Sequence, residues 1–166
     1  MNNKIYFYRQ ASYFEEACPI GNGSIGAMVY GRCDREKISL NHDTFWSGEP
    51  GTHKNPKAYD TFVKARELVF EGKNDEAQDL IEDNFTSNDC EYYLPVGNIW
   101  IEFDSHESGE YCRVLDMKES TVDINDGFFD MKHFISYPDK VMVTRISFAK
   151  ASGIIVSFDS QVKHSV

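Results

Sequence analysis

Apolar and polar positions alternate with a period of two along most of this chain, and with a helical period in one stretch only. Ile99, Ile101 and Phe103 alternate with Trp100, Glu102 and Asp104, the signature of a strand with one buried face. Lys4–Arg9, Ser24–Tyr30 and Glu36–Asn41 read as earlier strands, with a turn from Gly31 to Arg35. Tyr111–Lys118, Thr121–Ile124, Phe128–Ser136, Val141–Phe148 and Gly153–Ser160 follow at close spacing. Asn125-Asp126-Gly127, Pro138-Asp139 and Ser152-Gly153 punctuate them. Short strands joined by tight turns predict antiparallel hairpins and a mainly β sandwich.

The helical stretch interrupts this pattern at about 56–85. Asn55 is expected to cap a helix that opens on Pro56, with Tyr59, Phe62, Val63, Arg66, Val69 and Phe70 on its apolar face. Gly72 stops it. Asn74 is expected to cap a second helix, with Asp75 and Glu76 in its first turn and Ala77, Leu80, Ile81 and Phe85 along one side. The segment therefore predicts a helical hairpin inserted into the sandwich.

Composition narrows the function classes. At 166 residues the chain has the length of one domain. Its 27 acidic against 17 basic residues give a net charge of −10, which speaks against nucleic acid and anionic membrane as partners. Aromatic residues at 14% argue for a folded core rather than disorder. Met1–Tyr13 lacks the apolar run of a signal peptide, and no stretch has the length of a membrane span. A cytoplasmic setting is expected, with export left open. Cys18, Cys33, Cys90 and Cys112 have no zinc spacing and read as free thiols of a reducing compartment.

Candidate chemistry is sparse. Gly21-Asn22-Gly23-Ser24-Ile25-Gly26 matches the G-x-G-x-x-G pattern, but Pro19 precedes it and a strand follows it. A dinucleotide site needs a strand before and a helix after, so the run is read as a tight turn and no cofactor is expected. Ser24 is not in a nucleophile elbow. Metal binding by His42, Asp43 and His53 is not expected, since His106, His133 and His164 have no ligand-like spacing to them. Asn84-Phe85-Thr86 fits a glycosylation sequon at a helix end. With 27 acidic residues, no acid pair for glycoside hydrolysis can be singled out. The loop Asn41–Pro50 is richer. Trp46 is suited to stack on a sugar ring, and Asn41 and Asp43 to accept hydrogen bonds from hydroxyls; the alternative is that Trp46 only pins the loop.

The ordered segments resemble the N-terminal domain of glycoside hydrolase family 95. Ala17-Cys18-Pro19-Ile20-Gly21-Asn22-Gly23-Ser24-Ile25-Gly26-Ala27 and Ser39-Leu40-Asn41-His42-Asp43-Thr44-Phe45-Trp46-Ser47-Gly48 carry most of the likeness. Cys18 and His42 depart from the family's usual Leu and Glu. Leu94-Pro95-Val96-Gly97-Asn98, Tyr111–Met117 and Ser136-Tyr137-Pro138-Asp139 continue it to cover essentially the whole chain. The resemblance implies a β-sandwich of the supersandwich type that precedes a catalytic (α/α)6 barrel. In that barrel a Glu acts as general acid, and an Asp with Asn residues activates water. No barrel motif occurs here, and some strands and an edge of the sandwich are expected to be missing.

The reading is a scaffold domain of an α-L-fucosidase-like hydrolase, inactive alone. Its implied partner is the (α/α)6 barrel, with fucosylated oligosaccharide as the parent's substrate and α-L-galactoside as the alternative. Asn41, Asp43 and Trp46 are the substrate-proximal candidates; no catalytic residue or metal is assigned. Two rival classes are a free-standing carbohydrate-binding module, for which Trp100 is the platform candidate, and a structural domain that forms oligomers through an open edge.

Overall fold

The computed structural model describes residues 3–48, 55–85, 91–104, 109–150 and 152–163. His53, His106, His164, Cys90 and the sequon's Thr86 lie outside them, as does the loop from Glu49 to Lys54. Two compact units emerge. One comprises Met1–Phe45 with Tyr93–Val166, the other Trp46–Tyr92.

The first unit is a sandwich of two antiparallel five-stranded sheets. One sheet contains β1 (Lys4–Phe7), β6 (Cys112–Asp116), β7 (Thr121–Asn125), β8 (Phe129–Ile135) and β9 (Met142–Phe148), in the order β1-β6-β7-β8-β9. The other contains β2 (Cys18–Gly21), β3 (Ile25–Val29), β4 (Arg35–His42), β5 (Gly97–Phe103) and β10 (Ile154–Asp159), in the order β10-β5-β4-β3-β2. Alternate residues fill the space between the sheets. Cys18, Ile20, Ala27, Val29, Ile38 and Ile101 from one sheet meet Val122, Ile124, Phe129 and Met131 from the other. Phe103 stacks on Phe129 at 4.9 Å between ring centroids.

The period-two segments all form strands, trimmed by a residue or two at their ends. One strand has no counterpart in the pattern reading. Cys18–Gly21 pairs with β3, placing Pro19 opposite Met28. Proline lacks the N–H that a central strand needs, and β2 accommodates it as the last strand of its sheet.

Polar groups are buried at the heart of the sandwich. Glu36 is fully buried, and its carboxylate accepts the N–H groups of Gly31 and Arg32 in the β3–β4 turn. Arg113 on β6 is 1% exposed; it donates to the carbonyls of Tyr30 and Glu16 and lies over the Phe7 ring at 4.7 Å. Tyr111 donates to the Gly31 carbonyl at 2.8 Å. Gly31 adopts φ +70, and a Cβ there would sit 2.5 Å from the Tyr111 hydroxyl and 2.7 Å from Arg113 Cδ. Only glycine suits this crossing. His133 on β8 is also fully buried, with Nδ1 3.0 Å from Thr144 Oγ1 and Nε2 without a partner among the described residues. Cys18 and Cys33 are buried free thiols, and Cys112 is a half-buried one.

The second unit holds α1 (Ala58–Phe70) and α2 (Asn74–Asn84), two helices packed as a hairpin. Both caps differ from expectation. Pro56 and Lys57 form a turn ahead of α1, although Asn55 Oδ1 does accept the Lys57 N–H at 2.9 Å. Asn74 is the first residue of α2, and Lys73 precedes it without a side-chain cap. Gly72, at φ +79, turns the chain so tightly that the Lys73 N–H bonds back to the Leu68 carbonyl, which leaves no room for an Asn cap. The packing face differs too. Thr61 and Ala65 are buried in α1 and Ala77 in α2, while Tyr59, Phe62, Val69 and Phe70 are half or more exposed. Small side chains let the two backbones approach, so they displace the aromatic face from the hairpin contact. No helix among the described residues is long and apolar enough to cross a membrane.

Two predictions come from this architecture. Burial pushes the Glu36 carboxyl from 4.5 up to about 7, and burial holds the His133 imidazole down from 6.5 to about 4. The raised Glu36 stabilises the fold fully below pH 4.5, and that contribution is lost as pH rises through 7. The lowered His133 acts oppositely, its contribution present above pH 6.5 and lost as pH falls through 4. Glu36→Gln removes the first limb. Relative to this variant, the parent chain should lose about 3 kcal/mol of urea-unfolding free energy between about pH 4.5 and pH 7.5. A pH-independent difference would contradict it. The second prediction concerns β10, an end strand on which Ile154, Ile155 and Val156 are 46, 59 and 61% exposed. An apolar end strand invites pairing with another copy. Ile155→Lys sets a cation opposite Glu102 in the register and should lower the concentration-dependent mass seen by light scattering.

Candidate functional site

The outward face of the second sheet is built by the same alternation that fills the core. With Glu36 and Ile38 buried, Arg35, Lys37, Ser39 and Asn41 on β4 must point away from it. The register sets Lys37 opposite Trp100 and Ser39 opposite Asn98 on β5, and Ser39 opposite Met28 and Asn41 opposite Gly26 on β3. Above these strands lies a concavity of about 710 Å³. Its floor includes Met28, Lys37, Ser39, Asn41 and Asn98, and its rim Phe14, Tyr93 and Gln161.

The polar side chains of this face are tied to one another. The Ser39 hydroxyl donates to Asn98 Oδ1 at 2.8 Å, and Asn98 Nδ2 donates to Asp159 Oδ1 at 2.7 Å. The Trp100 indole N–H donates to Asp159 Oδ2 at 2.8 Å. Hydrogen bonds from Asn98 and Trp100 hold the Asp159 carboxyl below the usual aspartate range. The Arg35 guanidinium lies 4.2 Å from the Trp100 ring centroid and bonds Glu102 Oε1 at 2.8 Å. Lys37 Nζ stands 4.9 Å from the Tyr30 ring and 5.5 Å from that of Trp100. Trp100 does alternate out of the core, as expected, yet it is no open platform. Its N–H is spent on Asp159 and cations lie against its ring.

The three residues singled out from the sequence separate. Asn41 lines the concavity. Asp43 is in the turn after β4, where its carboxylate lies 3.0 Å from His42 Nδ1 and its N–H donates to the Ser24 carbonyl. It is not part of the concavity's lining. Trp46 belongs to the helical unit and is 53% exposed. Neighbouring backbone is firmly tied there: Ser47 and Tyr92 exchange a pair of hydrogen bonds at 2.8 and 2.7 Å.

The glycine run is a hairpin turn between β2 and β3. Asn22 Oδ1 accepts the N–H groups of Ser24 and Ile25 at 3.0 and 2.8 Å, and Gly23 takes φ +94. A strand does precede the run, contrary to the reading from Pro19, but the strand after it returns antiparallel and no helix N-terminus faces the turn. Lys37, Ser39, Asn98 and Tyr93 were not singled out from the sequence. The first three were reachable from the alternation once Ile38 and Ile99 were placed inward. Tyr93 and Phe14 come from irregular segments and carry no such signal.

An all-antiparallel sandwich with a hairpin insert and a polar-aromatic outward face defines the class of non-barrel domains attached to saccharide-processing enzymes. Residues 5–165 match the family described as glycosyl hydrolase family 65, N-terminal domain, and the chain belongs to that family. Alpha-L-fucosidase 2 of Arabidopsis thaliana is 30% identical to it over 97% of this chain and 20% of its own length. A probable alpha-fucosidase A of Aspergillus oryzae is 26% identical over 98% of this chain and 24% of its own length. The Aspergillus niger protein of the same name is 27% identical over 82% of this chain and 18% of its own. The chain thus spans about a fifth of the length of these curated relatives.

The Asp159 cluster makes a spectroscopic prediction. In a Trp46→Phe background, Trp100 emission should respond to acid with a midpoint below 3.8, the ordinary aspartate value. Asp159→Ala should abolish that response in a fluorescence titration.

Proposed function

We propose that this chain is the N-terminal scaffold of an α-L-fucosidase-type glycoside hydrolase of the family 95 kind, whose parent reaction removes terminal α-L-fucose from oligosaccharides. The observation that carries the proposal is the coverage of 97% of the chain by a relative named alpha-L-fucosidase. The ordered Pro19–Gly26 and Asn41–Gly48 motifs support the same lineage. The chemistry is assigned to an (α/α)6 barrel that would follow this domain. Inversion needs an acid and a base about 6.5–9.5 Å apart across the sugar. The lining of the concavity contains no Asp or Glu among the described residues, in agreement with a non-catalytic role for this domain. In the parent, the loop that carries Asn41, Asp43 and Trp46 packs toward the barrel and borders the sugar pocket.

Two assays test this. The purified chain should release no nitrophenol from a nitrophenyl α-L-fucoside, and turnover that survives purification to homogeneity contradicts its scaffold role. The proposal also expects the reading frame to continue into a helical barrel whose complete product prefers the fucoside to the α-L-galactoside. In that product Trp46→Ala should lower kcat/KM by about tenfold, the loss of one good contact. Unchanged kinetics and stability would remove the loop from the sugar pocket.

A further inference from the structure

We infer that the concavity on the outward face of the second sheet is a binding site for a short neutral saccharide. Its volume of about 710 Å³ falls within the ~300–1,000 Å³ typical of small-ligand sites. The chain carries 27 acidic residues, yet none among the described ones lines this hollow. What lines it is hydroxyl, amide and aromatic: Ser39, Asn41, Asn98, Gln161, Tyr93 and Phe14. That is the complement of a sugar, which presents hydroxyl groups at its edge and C–H groups on its faces.

The polar floor is fixed before any ligand arrives. Asn98 is gripped at both ends, with Oδ1 accepting from Ser39 and Nδ2 donating to Asp159. An amide has two N–H groups and two carbonyl lone pairs, so each end of Asn98 keeps one site for a ligand hydroxyl. Ser39 Oγ, having donated its proton, keeps its lone pairs as acceptors. Side chains already immobilised lose little entropy on binding, which favours even a weakly held ligand. Lys37 adds a donor at the rim of this array, poised between Tyr30 and Trp100. Tyr93 and Phe14, 45 and 54% exposed, supply the apolar walls. A covering protein surface is the competing occupant. A floor of tethered hydroxyl and amide groups suits it less well, because each group that it covered would need a partner of matching position.

The inference rests on reading the domain as part of a saccharide-processing enzyme, and its test is separable from that reading. Isothermal titration of the 166-residue chain with 2′-fucosyllactose, lactose and maltotriose should give saturable binding to at least one of them. Ser39→Ala and Asn98→Ala should each weaken it by about tenfold, the worth of one hydrogen bond. Lys132→Ala, on the other sheet, should leave it unchanged. Thermal midpoints show whether each variant folds; should Asn98→Ala fail, Ser39→Ala and Tyr93→Ala carry the test. Binding of lactose or maltotriose without preference for the fucosylated sugar keeps the site and removes its link to fucose. Absence of binding to all three sugars at millimolar concentration overturns the site, as does binding indifferent to Ser39 and Asn98. Loss of self-association in those variants, without any sugar binding, identifies a protein-covered face and also overturns it.

Discussion

The register of β4 between β3 and β5 governs both faces of the second sheet. In a strand every neighbour points the opposite way, so a slip of one residue would drive Lys37 and Ser39 into the core and expel Ile38. Two polar anchors hold this register. On the inner side, Glu36 accepts the N–H groups of the turn that delivers the chain into β4. On the outer side, Ser39 bonds to Asn98 directly across the ladder. The core and the concavity are thus two consequences of one alignment. A substitution that loosens either anchor acts on both.

The buried polar cluster gives the sandwich specificity at a cost in solvation. Arg113 reaches from β6 to the carbonyls of Tyr30 and Glu16, and Tyr111 reaches from the start of the same strand to Gly31. These bonds cross from one sheet to the other, where apolar contacts alone would tolerate sliding. A buried ion needs such partners, since removal of one leaves the remaining charge uncompensated. His133 illustrates the opposite solution. With little to support a proton, its imidazole stays neutral well below the usual pH. The two buried groups, Glu36 and His133, therefore lean in opposite directions as pH changes.

Much of the fold was legible because half-buried antiparallel strands write their faces into the chain. Ile99, Ile101 and Phe103 mark the core side of β5 without reference to anything else. β2 was not legible, since Pro19 and Gly21 are breakers in most strands and pass only at a sheet's end. The hairpin's inner face was misread for a related reason. Periodicity shows which residues share a side of a helix, and the aromatic side of α1 outweighs Thr61 and Ala65 in any such sum. Contact between two helices is decided by how closely the backbones can approach.

The sequence alone determined the sandwich class, the helical insert, the turn character of the glycine run and the likeness to a glycoside hydrolase domain. Each rests on local spacing or on an ordered set of short motifs. Tertiary structure alone decided that Asn41 joins Ser39, Asn98, Tyr93 and Phe14 around one hollow, while Asp43 turns to His42 and Trp46 enters another unit. It also decided that Trp100 is covered by Arg35 rather than open to a ligand. Residues 14, 39 and 98 become neighbours only when strands pair across long stretches of chain, and no local pattern encodes that pairing.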